Sequence, residues 1–207
     1  MKQNKINKKF VYLISPNKIP NINFYDDLAL VLSSKKIGFF QLRLKKETNL
    51  NKLIIGKKIK KICNKYKVKF LINDDPLLAK KLNADGCHLG QKDMDLIKAR
   101  KILKNKIIGV TCHNSINLAK RAIKDGANYL AFGAFYATKT KTVKYRASLT
   151  VLKSIKKITS LPIVAIGGIK LNNYKKLLLN KANFLAISGY IWNNKKYKPL
   201  EAIKKLK

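Results

Sequence analysis

Short apolar runs alternate with segments of helical periodicity along this chain of 207 residues. Eight runs are typical of strands covered on both faces, because they are short, mainly apolar and bounded by polar residues. They span residues 10–14, 38–43, 68–73, 86–89, 107–112, 129–133, 162–166 and 184–188. The segments between them repeat apolar residues at helical spacing, as at Leu149, Leu152 and Ile155. The pattern predicts an α/β protein, a single (β/α)8 TIM barrel over residues 10–207, after a flexible polar stretch at residues 1–9.

The formal net charge is +36, from 46 basic and 10 acidic residues. Nucleic-acid binding is one interpretation, since basic surfaces release counterions from phosphate backbones. Against it, only four basic residues are arginine, the lysines are spread along the whole chain, and no nucleic-acid-binding motif is present. We therefore interpret the charge as background composition that attracts anionic small molecules, with no specific nucleic-acid partner.

Membrane and redox functions find little support in the sequence. No apolar run approaches the roughly 18 residues that a membrane-spanning helix needs, and no signal-peptide core follows the basic first residues. We expect no membrane partner and a cytoplasmic location, and the oligomeric state stays open. The three cysteines lack zinc or redox spacing, and Cys87 and Cys112 lie inside apolar runs, so they are predicted to be buried core residues.

Two carboxylates follow neighbouring predicted strands, Asp74 after the third and Asp93 after the fourth. Because parallel strands end at one edge of a barrel, we expect the two to meet there. Mg²⁺ is usually held by one or two carboxylates together with substrate phosphates. An alternative is that Asp74 or Asp75, and separately Asp93, cap helices. Since Asp75 precedes Pro76, a favoured first helical residue, we assign the cap to Asp75 and the metal to Asp74 and Asp93.

Residues suited to anions follow other strands at the same predicted edge. Strand alternation puts Gln41, Arg43 and Lys45 on one side, and Arg43 offers a fork for phosphate oxygens. A long segment after the sixth strand, residues 137–146, is rich in threonine and lysine and is a candidate lid. Glycines follow the seventh and eighth strands, where barrels commonly bind phosphate through backbone amides. His113 is open to an acid–base role, whereas we interpret His88, between Cys87 and Leu89, as structural.

Six motifs in this order resemble the thiamine phosphate synthase family over nearly the whole chain. They are residues 41–45 (QLRLK), 72–75 (INDD), 84–93 (ADGCHLGQKD), 108–113 (IGVTCH), 138–141 (TKTK) and 164–169 (VAIGGI). The resemblance implies a Mg²⁺-dependent transferase that joins 4-amino-5-hydroxymethyl-2-methylpyrimidine diphosphate to 4-methyl-5-(2-phosphoethyl)thiazole. Diphosphate leaves first, a pyrimidine carbocation forms, and the thiazole nitrogen captures it.

The resemblance also implies residue roles. Asp74 and Asp93 would bind the metal, and Arg43 and Lys141 would stabilise the departing diphosphate. The pyrimidine diphosphate would meet Gln41, Leu42, Arg43, Leu44, Lys45, Asn73, Thr111 and Lys141. The thiazole phosphate would meet Thr138, Lys139, Thr140, Gly168, Ile187 and Ser188.

Three departures from the family pattern lie on the thiazole side. Ala134 and Ala137 stand where the family usually has proline, and a glycine common after the loop is not apparent. Two other functions stay open. One is a metal-independent thiazole tautomerase that uses His113, and the other is a non-catalytic barrel that binds phosphate or polyanions.

Overall fold

Eight parallel strands close into a barrel in sequence order, β1 to β8, in the computed structural model, which describes residues 9–19, 21–138 and 145–207. The strands are β1 Val11–Ile14, β2 Ile37–Leu42, β3 Lys69–Asn73, β4 Gly86–Leu89, β5 Ile107–His113, β6 Tyr129–Phe132, β7 Ile163–Ile166 and β8 Phe184–Ile187. Each pairs with the next, and β8 pairs with β1, Leu185 lying opposite Val11. The predicted fold class is therefore confirmed, with strand boundaries within one residue.

Helices follow the strands and cover the outside of the barrel. They are α1 Asn23–Ser33, α2 Asn49–Lys65, α3 Pro76–Lys81, α4 Leu96–Leu103, α5 Ile116–Lys124, α6 Leu149–Lys156, α7 Tyr174–Leu179, α8 Gly189–Trp192 and α9 Pro199–Lys205. Side-chain caps fix several starts: Asp75 accepts from the Leu78 N–H at 2.9 Å, as the sequence predicted, and Ser115 accepts from the Leu118 N–H. None of the described helices has the length and apolar content to cross a membrane.

Apolar side chains form two layers on the two sides of the sheet. The larger layer lies between strands and helices and contains Leu13, Phe40, Ile72 and the buried Cys87 and Cys112. The smaller layer fills the barrel interior and includes Tyr12, Leu71, Tyr129 and Val164. The two buried cysteines confirm their predicted core role. The predicted flexibility of the N-terminus concerns residues that lie, except for Lys9, outside the described part of the chain.

Candidate active site

The ends of β3 and β4 bring the two predicted metal ligands together. Asp74 directly follows β3, and its N–H donates to the His88 carbonyl at 2.8 Å, which extends the pairing of the two strands. Its φ of 64° turns the chain sharply there. The Asp74 side chain lies within hydrogen-bonding reach of Asp93. Two oxygen-rich groups therefore converge at the carboxyl-terminal rim of the barrel.

Asp93 is held in place by the loop that follows β4. Its Oδ2 accepts a hydrogen bond of 2.6 Å from the Gly90 N–H. The alternative that Asp93 caps the next helix is wrong, because Asp95 caps α4 by accepting from the Ile97 and Lys98 N–H groups. The Asp93 carboxylate thus contacts the loop backbone at Gly90 and the neighbouring carboxylate of Asp74.

The pKa values of the two carboxyl groups shift in opposite directions. Burial alone would raise the pKa of Asp74, but its hydrogen bond with Asp93 and the Lys45 ammonium bring that pKa below its ordinary value. Lys45 Nζ lies 2.9 Å from Asp74 Oδ2. Burial and the neighbouring Asp74 both raise the pKa of Asp93. As the pH falls, Asp93 is therefore the member of the pair that takes up a proton more readily.

This donor set fits a hard cation such as Mg²⁺. Two crowded carboxylates repel each other unless a proton or a cation lies between them. Among the described residues, no cluster of three or more His, Cys, Asp and Glu side chains could hold a metal by itself. Mg²⁺ needs no such cluster, because it usually takes one or two carboxylates and completes its shell with water and substrate phosphates.

Arg43 approaches the same cluster from the end of β2. Burial lowers its pKa and Asp74 partly offsets that effect, so the guanidinium lies within the field of the carboxylate. Its Nη1 donates to Asn17 Oδ1 in the β1–α1 loop, and its backbone N–H donates to Ser15 Oγ at 2.9 Å. The fork is oriented by Asn17, which sequence reasoning missed because nothing in the pattern marks that loop.

A pocket of about 210 Å³ opens beside Lys45 and Asp74. Asn73 also lines it, which places this predicted substrate residue next to the charged cluster. Leu42 and Leu44 line its apolar side and are themselves 3% and 4% exposed. Their side chains belong to the layer between sheet and helices.

Five side chains form a continuous hydrogen-bonded chain through the barrel interior, which we call the interior chain. Gln41 Nε2 donates to the Tyr12 hydroxyl, and the Tyr12 and Tyr129 hydroxyls pair with each other, both at 2.8 Å. The Tyr129 hydroxyl pairs with His88 Nδ1, and His88 Nε2 with Thr111 Oγ1, again at 2.8 Å each. The interior chain links two predicted substrate residues, Gln41 and Thr111, through three that the sequence did not single out as functional.

The loops after β6 and β7 run side by side at the rim. Phe135 N–H donates to the Ile166 carbonyl and Tyr136 N–H to the Gly167 carbonyl, each at 3.1 Å. A Cβ on Gly168 would lie 2.2 Å from the Ala137 carbonyl oxygen, and its φ is +62°. Gly168 is therefore required for this approach, which also fixes the start of the segment carrying Thr138. Lys139, Thr140 and Lys141 lie outside the described residues, as does most of the candidate lid.

One departure from the family pattern has a visible consequence. The N–H of Ala134 donates to the Tyr145 carbonyl at 3.1 Å, a bond that a proline at this position could not make. The Ala134 carbonyl in turn accepts from the Ala147 N–H at 2.9 Å. Ala134 thus ties both ends of the long segment after β6 together by backbone pairing.

The end of β8 closes the rim next to β1. Ser188 Oγ donates to the Ser15 carbonyl at 3.1 Å, and Trp192 Nε1 donates to the Ile14 carbonyl at 2.7 Å. Ile187 is buried. Because Ser15 also contacts Arg43, the β8 end and the charged cluster share one supporting residue.

His113 lies at the end of β5, and its ring packs on Tyr145 with centroids 4.4 Å apart. A second pocket, of about 360 Å³, is lined by both rings together with Gln91, Asn114, Ser115 and Leu118. The ring of His113 is thus part of a pocket beside the long loop, whereas His88 is the histidine linked to Gln41 and Thr111.

The fold and the charged cluster define a (β/α)8 barrel whose candidate site lies at the carboxyl-terminal rim, where barrels of this class carry their active sites. A sequence model of the family described as thiamine monophosphate synthase matches residues 11–191. A thiamine-phosphate synthase of Pelagibacter ubique is 96% identical over all 207 residues, which is the full length of both chains. One of Marinobacter nauticus is 43% identical over 86% of this chain and 81% of its own.

Solved structures give the same result for the fold. Thiamine phosphate pyrophosphorylase from Pyrococcus furiosus superposes with a TM-score of 0.82 at 27% identity, covering 98% of this chain and 96% of its own. A 3-hexulose-6-phosphate synthase superposes with a TM-score of 0.66 at 17% identity, covering 95% and 98% of the two chains, which supports the barrel alone. The chain belongs to the thiamine monophosphate synthase family. It is a transferase of thiamine biosynthesis, as its motifs predicted.

Proposed function

We propose that the barrel joins 4-amino-5-hydroxymethyl-2-methylpyrimidine diphosphate to 4-methyl-5-(2-phosphoethyl)thiazole and releases diphosphate. The observation that carries this proposal is the cluster of Asp74, Asp93, Lys45 and Arg43 at one rim, two carboxylates interleaved with two cations. Such a cluster suits a diphosphate, whose oxygens need both a divalent cation and fixed positive groups. The partners under this proposal are small phosphorylated molecules, with no specific nucleic acid.

In the first step, the bond between the pyrimidine methylene carbon and the diphosphate oxygen breaks, and both electrons leave with the oxygen. Negative charge therefore builds up on the diphosphate, while the methylene carbon becomes a cation. Arg43, oriented by Asn17, and Lys141 are assigned to stabilise the departing group. Cations fixed in place beforehand stabilise such a transition state at no reorganisation cost.

Asp74 and Asp93 are the residues assigned to hold Mg²⁺. When bound, the ion would neutralise charge on the diphosphate oxygens. The raised pKa of Asp93 supports the assignment, because a carboxylate destabilised by its neighbour gains from an added cation. The ion itself stays a prediction.

In the second step, the thiazole nitrogen forms a bond to the methylene carbon, and no proton needs to move. The proposed thiazole phosphate contacts are Thr138, Lys139, Thr140, Gly168, Ile187 and Ser188. Support comes from the close approach of the β7 and β6 loops at Gly168, where backbone amides can face a phosphate. The cytoplasmic location expected from the sequence remains a prediction.

Incubation of the purified protein with both substrates and Mg²⁺ tests the proposal. We expect equal amounts of thiamine phosphate and diphosphate, and neither product when a chelator replaces Mg²⁺. Rearrangement of the thiazole alone without metal would favour the tautomerase instead. Binding of the substrates without turnover would favour a non-catalytic barrel. Either of these two results contradicts the proposal.

A further inference from the structure

The hydrogen bonds of the interior chain all run in one direction, from donor to acceptor, from Gln41 towards Thr111. Among the described residues, the Tyr12 hydroxyl has hydrogen bonds with Gln41 and Tyr129. The Gln41 amide N–H donates to it, so the single Tyr12 proton goes to the Tyr129 oxygen. Tyr129 then donates its own proton to His88 Nδ1. The His88 proton therefore lies on Nε2 and is donated to Thr111 Oγ1.

Burial makes this direction costly to reverse. Tyr12 and Tyr129 are 1% and 2% exposed, and Gln41 is 3% exposed. In the opposite direction, Tyr12 would accept from both neighbours, and its own proton would be buried without either of them as acceptor. Burial raises the pKa of both tyrosines well above the ordinary value, so both hydroxyls keep their protons.

The backbone around the interior chain is shaped to admit it. A Cβ on Gly109 would lie 1.8 Å from Cζ of the Tyr129 ring, so β5 can accept this ring only with glycine at that position. The rings of Tyr129 and His88 stack with centroids 5.6 Å apart. A tyrosine, a histidine and a glycine on three neighbouring strands thus fit one another inside the barrel.

We propose that Tyr12, Tyr129 and His88 are positioning residues that orient Gln41 and Thr111 for an aminopyrimidine ring. The Gln41 amide, with its nitrogen held by Tyr12, presents its oxygen as an acceptor for an amino group. The Thr111 oxygen accepts from His88, so its proton is donated to a ring nitrogen. An aminopyrimidine offers both complementary groups. This inference rests on the proposed function, which supplies the pyrimidine substrate.

The tautomer of His88 tests the first half of the inference without any substrate. The chain has two histidines, so the His113→Gln variant leaves a single imidazole for ¹⁵N NMR. We expect the ring to carry its proton on Nε2, with Nδ1 unprotonated. A ring with its proton on Nδ1 would overturn the inference, and this measurement needs no change within the interior chain.

Tyr129→Phe tests the second half, because it removes the hydroxyl and keeps the ring. We expect kcat/KM for the pyrimidine diphosphate to fall about 10- to 100-fold, with little change in KM for the thiazole phosphate. The His88 signal should also change, since Nδ1 loses its donor. Tyr174→Phe is the matched control: Tyr174 is 1% exposed, and its hydroxyl bonds the Lys207 backbone away from the site.

The outcomes distinguish failure of the proposed function from failure of the positioning role. If the wild-type protein shows no synthase turnover, the proposed function is wrong, whichever tautomer His88 has. Normal wild-type turnover with an unchanged Tyr129→Phe enzyme contradicts the positioning role. Equal losses in Tyr129→Phe and Tyr174→Phe would also contradict it, because they would report only a buried hydroxyl. If Tyr129→Phe does not fold, the His88 tautomer measured with the interior chain unchanged tests the inference, and a proton on Nδ1 would overturn it.

Discussion

Gly168→Ala should displace the backbone on the β6–β7 side of the rim. It should therefore cost more stability than the same substitution at a left-handed glycine elsewhere. The added Cβ would lie 2.2 Å from the Ala137 carbonyl oxygen and 2.8 Å from Tyr136 Cβ. Both neighbours are parts of the backbone or close to it, so neither can swing aside. The segment that carries Thr138 must therefore move away from β7.

The size of the effect follows from two separate costs. A non-glycine residue in the left-handed region costs about 1–2 kcal/mol. Overpacking at a close contact typically costs a further ~1–3 kcal/mol. Gly126→Ala is the matched control, because Gly126 also has a left-handed φ, +89°, but a Cβ there meets nothing within 4 Å. The control variant should therefore lose unfolding free energy only through its left-handed backbone, without the cost of overpacking.

Denaturant unfolding measures the loss of stability, and steady-state kinetics measure the effect on the thiazole phosphate site. We expect Gly168→Ala to lose about 2–5 kcal/mol of unfolding free energy and to raise KM for the thiazole phosphate. Gly126→Ala should lose about 1–2 kcal/mol and keep the wild-type KM. If the two variants lose equal stability and neither changes KM, the close approach at Gly168 does not shape the thiazole site.

Three other predictions concern charge. Arg43→Lys should lower turnover about 10²–10³-fold, because lysine cannot supply the fork that Asn17 orients; unchanged kcat and diphosphate affinity would contradict this. Mg²⁺ affinity should weaken as the pH falls, since burial and Asp74 raise the pKa of Asp93 and the ion must displace that proton; calorimetric titration at two pH values measures it, and a pH-independent affinity would contradict it. Binding to nucleic acid should be steeply salt-dependent, and a filter-binding assay that found a clear sequence preference would refute our interpretation of the +36 charge.

The barrel was predictable because its strands are covered on both faces. A run such as residues 70–72 is apolar at successive positions, so its length and the polar residues on either side, Lys69 and Asn73, locate the strand. The placement of Asp74 and Asp93 followed from the same logic, since parallel strands end at one rim. Asp75 was assigned to the α3 cap from its position before Pro76, and its bond to the Leu78 N–H confirms that assignment.

The interior chain could not be predicted, because sequence alternation does not say which face of a short strand points inward. Tyr12 and Leu13 are neighbours in β1, yet Tyr12 lies in the barrel interior and Leu13 in the outer layer. His88 was interpreted as structural from its apolar neighbours. It is buried, but its ring links Tyr129 to Thr111. That contact depends on the register between β4, β5 and β6, and no local pattern encodes it.

Turnover as a function of Mg²⁺ concentration in wild type, Asp93→Asn and Asp85→Asn tests the central claim most directly. Asp85 is the matched control, because its carboxylate also pairs with a lysine, Lys69 at 2.9 Å, and accepts from the Phe70 N–H at the start of β3, away from the rim. We predict saturable activation by Mg²⁺ in wild type and in Asp85→Asn. Asp93→Asn should lose most activity and recover only in part at high Mg²⁺. Equal Mg²⁺ dependence in all three proteins would contradict the assignment of Asp93 to the metal.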